Sequence, residues 1–159
     1  MSGKPMSGKP MSGEPYSNTL VGYVPECRKA ELRFTVSAVL ANSVKGRNLK
    51  LVEPPTRAVP AGAVVEMVCT TESVRPGQLV RDVAYLCFAE ATESGVLVTG
   101  DRIRAGELRG VVLGFNEAHA PNHINVVIGA TQAASGRSLG FEPGDLIVVE
   151  ARDYDDSCL

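Results

Sequence analysis

From residue 32 onward the chain is a succession of short apolar, β-branched runs, bounded by Gly, Pro, Asn or Asp, and no other feature restricts its fold as strongly. Strands are expected at about Leu32–Ala41, Asn48–Glu53, Ala63–Thr70, Leu79–Glu90, Val96–Thr99, Asp101–Arg104, Leu108–Asn116, His123–Ala130 and Asp145–Arg152. None of these runs sustains a helical period, and only the stretch Ala130–Leu139 could hold a short helix. Turn signals at roughly 8 to 12 residue intervals are the pattern of a sandwich or barrel. The expected fold class is therefore all-β, a small barrel or closely related antiparallel sheet.

Two near-repeats favour the barrel: Arg75-Pro76-Gly77-Gln78-Leu79-Val80 and Glu142-Pro143-Gly144-Asp145-Leu146-Ile147, with Val59-Pro60-Ala61-Gly62-Ala63-Val64 as a looser third. Pro sets the first central φ of a type II turn and Gly supplies the positive φ at the second, so each motif delivers the chain sharply into a strand. Gly100–Gly106 reads as a tight hairpin followed by a strand that closes over it.

Ahead of this domain, Met1–Pro15 is a five-residue repeat of the form Met-Ser-Gly-Lys/Glu-Pro. Gly and Pro in every unit stop a helix or ladder from propagating, and the segment has too little apolar surface to offset its ordering entropy. The expected organisation is a disordered tail over 1–18, a β domain over 19–152 and a frayed acidic C-terminus over 153–159.

A net charge of -2 and no run of Lys and Arg give nucleic acid or an anionic membrane no electrostatic footprint. No apolar run reaches membrane-spanning length and no secretory leader is visible, so a cytoplasmic protein is expected. Cys27, Cys69, Cys87 and Cys158 form no Cys-x-x-Cys unit, which argues against a zinc ribbon or thioredoxin-type site.

The densest polar cluster, Asn116–Asn125, carries both histidines and lies between two strongly apolar strands. A loop on so rigid a scaffold suits a functional site. Glu117, His119 and His123 are the candidate catalytic groups, and they offer a carboxylate and two imidazoles to a divalent metal. The spacing matches no established metal signature, because His-x-x-x-His ligates well on a helix and Pro121 disfavours one here. Three readings stay open: polar side chains satisfying the loop backbone, a histidine orienting substrate without metal, and a metal site. No nucleophile elbow or phosphate-cradling loop is present.

Strand alternation places Val65, Met67 and Cys69 on one face, Val83, Tyr85 and Cys87 on another, and Val111, Leu113 and Phe115 on a third. Met67, Cys69, Tyr85 and Cys87 are softer or more polar than a tight core selects. With Phe115 and Asn122 they make the candidate substrate-binding set for a flexible apolar ligand.

The stretch Gly110–Asn125, GVVLGFNEAHAPNHIN, together with Val64-Val65-Glu66-Met67-Val68-Cys69, resembles a family of small actinobacterial β-barrel pericyclases that close the bridged rings of streptoseomycin- and nargenicin-type macrolides. The resemblance covers roughly Glu31 to Arg152. It implies a cofactor-free, trimeric enzyme that folds a macrocyclic polyene polyketide and promotes an intramolecular six-plus-four or four-plus-two cycloaddition. The alternatives are a metal-dependent lyase or isomerase using Glu117, His119 and His123, and a non-catalytic small-molecule binding module.

Overall fold

The computed structural model describes residues 28–152; the expected repeat tail, the acidic C-terminus, Cys27 and Cys158 lie outside the described residues. Among those residues the regular structure is entirely β. The strands are β1 (Leu32–Val39), β2 (Ser43–Val44), β3 (Leu49–Lys50), β4 (Thr56–Val59), β5 (Val64–Thr70), β6 (Leu79–Val80), β7 (Val83–Ala91), β8 (Gly95–Val98), β9 (Arg102–Ala105), β10 (Leu108–Asn116), β11 (Asn125–Ala130) and β12 (Leu146–Glu150). Seven of them run β1-β12-β9-β10-β11-β5-β7, and β7 pairs back with β1 to close a barrel. The β11–β5 pair is parallel and the other barrel pairs are antiparallel. Two short ladders, β3 with β6 and β4 with β8, lie outside the barrel ladder.

The Pro-Gly turns form as the near-repeats imply. Gly77 and Gly144 have φ of 86° and 95°. The amide of the following residue donates to the carbonyl three back, Gln78 to Arg75 at 3.0 Å and Asp145 to Glu142 at 3.1 Å. In both turns that residue's side chain also reaches back to accept the first residue's N–H. The looser third also turns, with Gly62 at φ 87° and Ala63 N–H donating to the Pro60 carbonyl at 3.1 Å, and Val98-Thr99-Gly100-Asp101 adds a fourth with the side-chain contact of the first two. Asp101 N–H donates to Val98 and Asp101 Oδ2 accepts from Val98 N–H at 2.9 Å. Gly100–Asp101 is therefore the entry to β9, and the hairpin itself turns at Gly106-Glu107, with Ala105 opposite Leu108.

The expected strand over Leu79–Glu90 is broken into β6 and β7, and Asn48–Glu53 shortens to β3. Strands β2 and β4 carried no recognised signal; β4 follows Pro54-Pro55, which reads as a breaker. No helix forms over Ala130–Leu139. That stretch crosses the barrel wall, where Gly136 N–H donates to the Tyr85 carbonyl and Arg137 N–H to that of Leu40.

Phe34, Met67, Leu86, Phe115, Ile128 and Ile147 lead the barrel interior. A second cluster, Leu49, Leu51, Val68, Val80, Val83 and Val127, covers the opposite face of β5, β7 and β11. Bulges decide which residues enter which cluster, because one extra residue inverts the alternation beyond it. Val65, Met67 and Cys69 share the interior face as expected. On β7 the ladder steps from Cys87 to Tyr85, leaving Leu86 as the extra residue. Cys87 thus enters the interior while Val83 and Tyr85 join the outer cluster. On β10 the extra residue is Leu113, so Phe115 points inward while Val111 is exposed and Leu113 packs outside.

Candidate active site

Glu66 is the third residue of β5, between two interior-facing residues, so alternation turns it to the outer face. It is held there in register with Asn125 of β11 and Phe88 of β7. The loop between β10 and β11 passes over this face. Asn116 secures its start by donating to the Lys50 carbonyl at 2.8 Å and accepting from Ala118 N–H at 3.1 Å, and Asn125 secures its end by donating to Asn116 Oδ1 at 3.2 Å.

Within the loop, His123 N–H approaches the His119 carbonyl at 3.4 Å, a single turn of α type. That turn achieves locally what a helix would have done. The two imidazoles stack with centroids 5.0 Å apart, and Phe88 meets His123 edge-on at 5.1 Å.

Glu66, His119 and His123 each present a ligand atom within 4.8 Å of the others. Glu66 Oε1 and His123 Nε2 are 3.7 Å apart on side chains only 9% and 10% exposed, and neither atom has a hydrogen-bond partner among the described residues. Asn122 Nδ2 lies 2.7 Å from His123 Nδ1. Arg47 bridges to the site from the β2–β3 connection: its Nη2 is 3.1 Å from His119 Nε2 and its Nε donates to Tyr85 Oη at 2.9 Å.

The sequence placed Glu117 with the histidines, but the structure does not. Glu117 is exposed and pairs with Arg57. The carboxylate beside the histidines is Glu66, which the sequence reading passed over. Its signal was legible, since it is the one charged residue in the run Val64-Val65-Glu66-Met67-Val68-Cys69. Of the candidate substrate residues, Tyr85 and Asn122 reach this site, whereas Met67, Cys69, Cys87 and Phe115 are buried in the barrel core. Burial pushes the Cys87 thiol up to about 12 and raises that of Cys69, which also donates to the Ala134 carbonyl. Neither is a thiolate nucleophile at neutral pH.

His123 also borders a groove of about 260 Å³ lined by Val59, Pro60, Val64, Val65, Pro121 and Ile124, with Arg57 and Asn122 as further polar lining. A larger recess of about 340 Å³ lies at Arg102, Arg104 and Arg109, but Arg102 and Arg104 are paired with Glu150 there. No helix among the described residues is long and apolar enough to cross a membrane. No curated protein and no solved structure matches the chain. Residues 26–150 do match a sequence family, and over that span the chain belongs to the Family of unknown function (DUF6917).

Proposed function

We propose that the protein is a small-molecule cyclase whose substrate lies in the groove beside His123. The observation that carries the reading is the groove's lining, mostly apolar side chains with Arg57, Asn122 and His123 as the polar ones. A cycloaddition converts π bonds into σ bonds with no net proton transfer. Its catalyst must hold diene and partner in a near-attack arrangement and polarise a conjugated carbonyl. Apolar walls supply the first requirement, and the exposed Asn122 amide, positioned by His123 Nδ1, supplies the second.

The resemblance of Gly110–Asn125 to ring-closing enzymes gives this reading its finer form: an intramolecular six-plus-four or four-plus-two cycloaddition on a macrocyclic polyene polyketide, carried out by a cytoplasmic homotrimer. The groove lies just below the roughly 300 to 1,000 Å³ of enclosed ligand sites. A macrocycle would therefore lie partly outside it, and a second subunit would close the open side. Substrate contacts then belong to Val64, Val65, Ile124 and Asn122, with Met67 shaping the β5 wall from behind.

The test is turnover of a macrocyclic polyene, followed by chromatography against the spontaneous background. Val64→Trp fills the groove from an exposed position and should abolish turnover without unfolding the barrel, and His123→Ala should slow it roughly tenfold to a thousandfold. Wild-type protein that leaves the background rate unchanged would sink the cyclase reading, and if it still binds the polyene, the protein is a binding module.

A further inference from the structure

We infer that Glu66, His119 and His123 form a binding site for a divalent transition-metal ion of the zinc class, and that Arg47 must move to admit it. The inference goes beyond the cyclase reading and stands apart from it.

Two buried polar atoms lie near each other with no hydrogen-bond partner among the described residues. Glu66 Oε1 and His123 Nε2 are too far apart, at 3.7 Å, for a good hydrogen bond, and both are shut off from water. One cation between them satisfies both. Zinc bonds of about 2.0 to 2.2 Å to nitrogen and oxygen put neighbouring ligand atoms about 3.3 to 3.5 Å apart in a tetrahedral site. The buried pair is already near that spacing. The third ligand, His119, is exposed and within 4.8 Å, so its ring can turn inward.

The donor set also fits. Two imidazoles and one carboxylate make an open, three-ligand site, which leaves a coordination position for water or a substrate oxygen. The scaffold is prepared for it: Asn116 and Asn125 fix the ends of the histidine loop, and the amide of Asn122 sits on His123 Nδ1. Turned over, that amide accepts the Nδ1 proton and leaves Nε2 with its lone pair toward the ion, as ligating histidines require.

Arg47 acts as the gate. Its guanidinium only donates, so His119 Nε2 presents its lone pair to Arg47, and the other ring nitrogen carries the proton. Ligation through either nitrogen breaks this contact. A metal on Nε2 takes the lone pair, and a metal on Nδ1 moves the proton to Nε2, where it meets another donor. Released from His119, Arg47 stays tethered to Tyr85 Oη beside the open coordination position, where it can bind an oxyanion of the metal-bound ligand.

The test uses the full chain carrying Cys27→Ser and Cys158→Ser, stripped with EDTA and titrated calorimetrically with Zn²⁺ alone. One ion per chain is expected, with a dissociation constant in the micromolar range or below, and zinc should raise the melting temperature. Glu66→Gln, which keeps the side-chain shape, and His123→Ala should each weaken binding at least tenfold. Co²⁺ in place of zinc should give the intense visible absorption of a low-coordinate site. Absence of saturable binding up to about 100 µM free zinc, or binding undiminished in Glu66→Gln and His123→Ala with native circular dichroism, would overturn the site. Zinc binding without polyene turnover would leave the site standing and remove the cyclase reading; polyene turnover without saturable zinc binding would do the reverse.

Discussion

His123 Nε2 lies 3.7 Å from Glu66 Oε1, and each is a buried atom whose hydrogen-bonding capacity goes unused among the described residues. A buried polar group left unpaired costs about 1 to 3 kcal/mol, so a fold that retains two at one point holds a site less stable than an apolar patch would be. Glu66→Met should therefore stabilise the metal-free protein by about 1 to 3 kcal/mol while abolishing zinc binding. Chemical denaturation with and without zinc measures both effects. A loss of stability in metal-free Glu66→Met would mean that the carboxylate holds the fold together.

Arg47 gives the opposite sign. With the guanidinium gone, no bond to His119 must break and no cation stands beside the entering ion, so Arg47→Ala should tighten zinc binding roughly tenfold, about 1.4 kcal/mol. Weaker binding would mean that Arg47 holds His119 in its ligating position instead. Isothermal titration decides between these.

Glu117, which the sequence nominated, should prove nearly silent. Its pair with the half-buried Arg57 lies at the surface, and such pairs contribute about 0 to 1 kcal/mol. Glu117→Gln should leave zinc affinity unchanged and shift stability by less than about 1 kcal/mol. A tenfold loss of zinc affinity in this variant would restore Glu117 to the site.

The contrast between Glu117 and Glu66 marks how far the sequence was legible. Turn chemistry announced the barrel, because Pro76-Gly77 and Pro143-Gly144 encode their geometry within four residues. The histidine loop was equally visible, since polarity breaks sharply between Phe115 and Val126. What failed was pairing at a distance. Glu66 reaches His123 only through the parallel β5–β11 ladder, which nothing local encodes. Alternation failed for a related reason: the extra residues Leu86 and Leu113 have no turn-residue signature, yet they send Cys87 and Phe115 to the opposite face from Tyr85 and Val111.

Gly136 is fixed by space rather than by backbone conformation. A Cβ there would lie 2.0 Å from the Leu86 carbonyl oxygen, and backbone cannot yield as a flexible side chain does. Gly136→Ala should lift the Ala130–Leu139 crossing off β7 and cost roughly 1 to 3 kcal/mol, seen as a melting temperature lower by several degrees. An unchanged melting temperature would show that the crossing is not packed against Leu86.

Asp101 carries the pH dependence with the least usual sign. It is 2% exposed, pairs with Lys29 at 2.9 Å and caps Val98 N–H. Burial raises its carboxyl above the ordinary range, outweighing the Val98 N–H, Lys29 and the charge of Arg152, which all pull it down. The folded state therefore binds a proton more readily than the unfolded chain, where the carboxyl titrates at about 3.9. Between that value and the raised one the native state holds the extra proton, so Asp101's contribution to stability is full below about pH 4 and declines as pH rises through the raised value. Asp101→Asn keeps an acceptor for Val98 N–H and removes the titration. The stability difference between wild type and Asp101→Asn, measured by urea denaturation from about pH 4 to 7, should favour wild type most at the acidic end and shrink toward neutrality. A difference that grows with pH instead would mean that the Lys29 ion pair outweighs burial and that the carboxyl lies below its ordinary value.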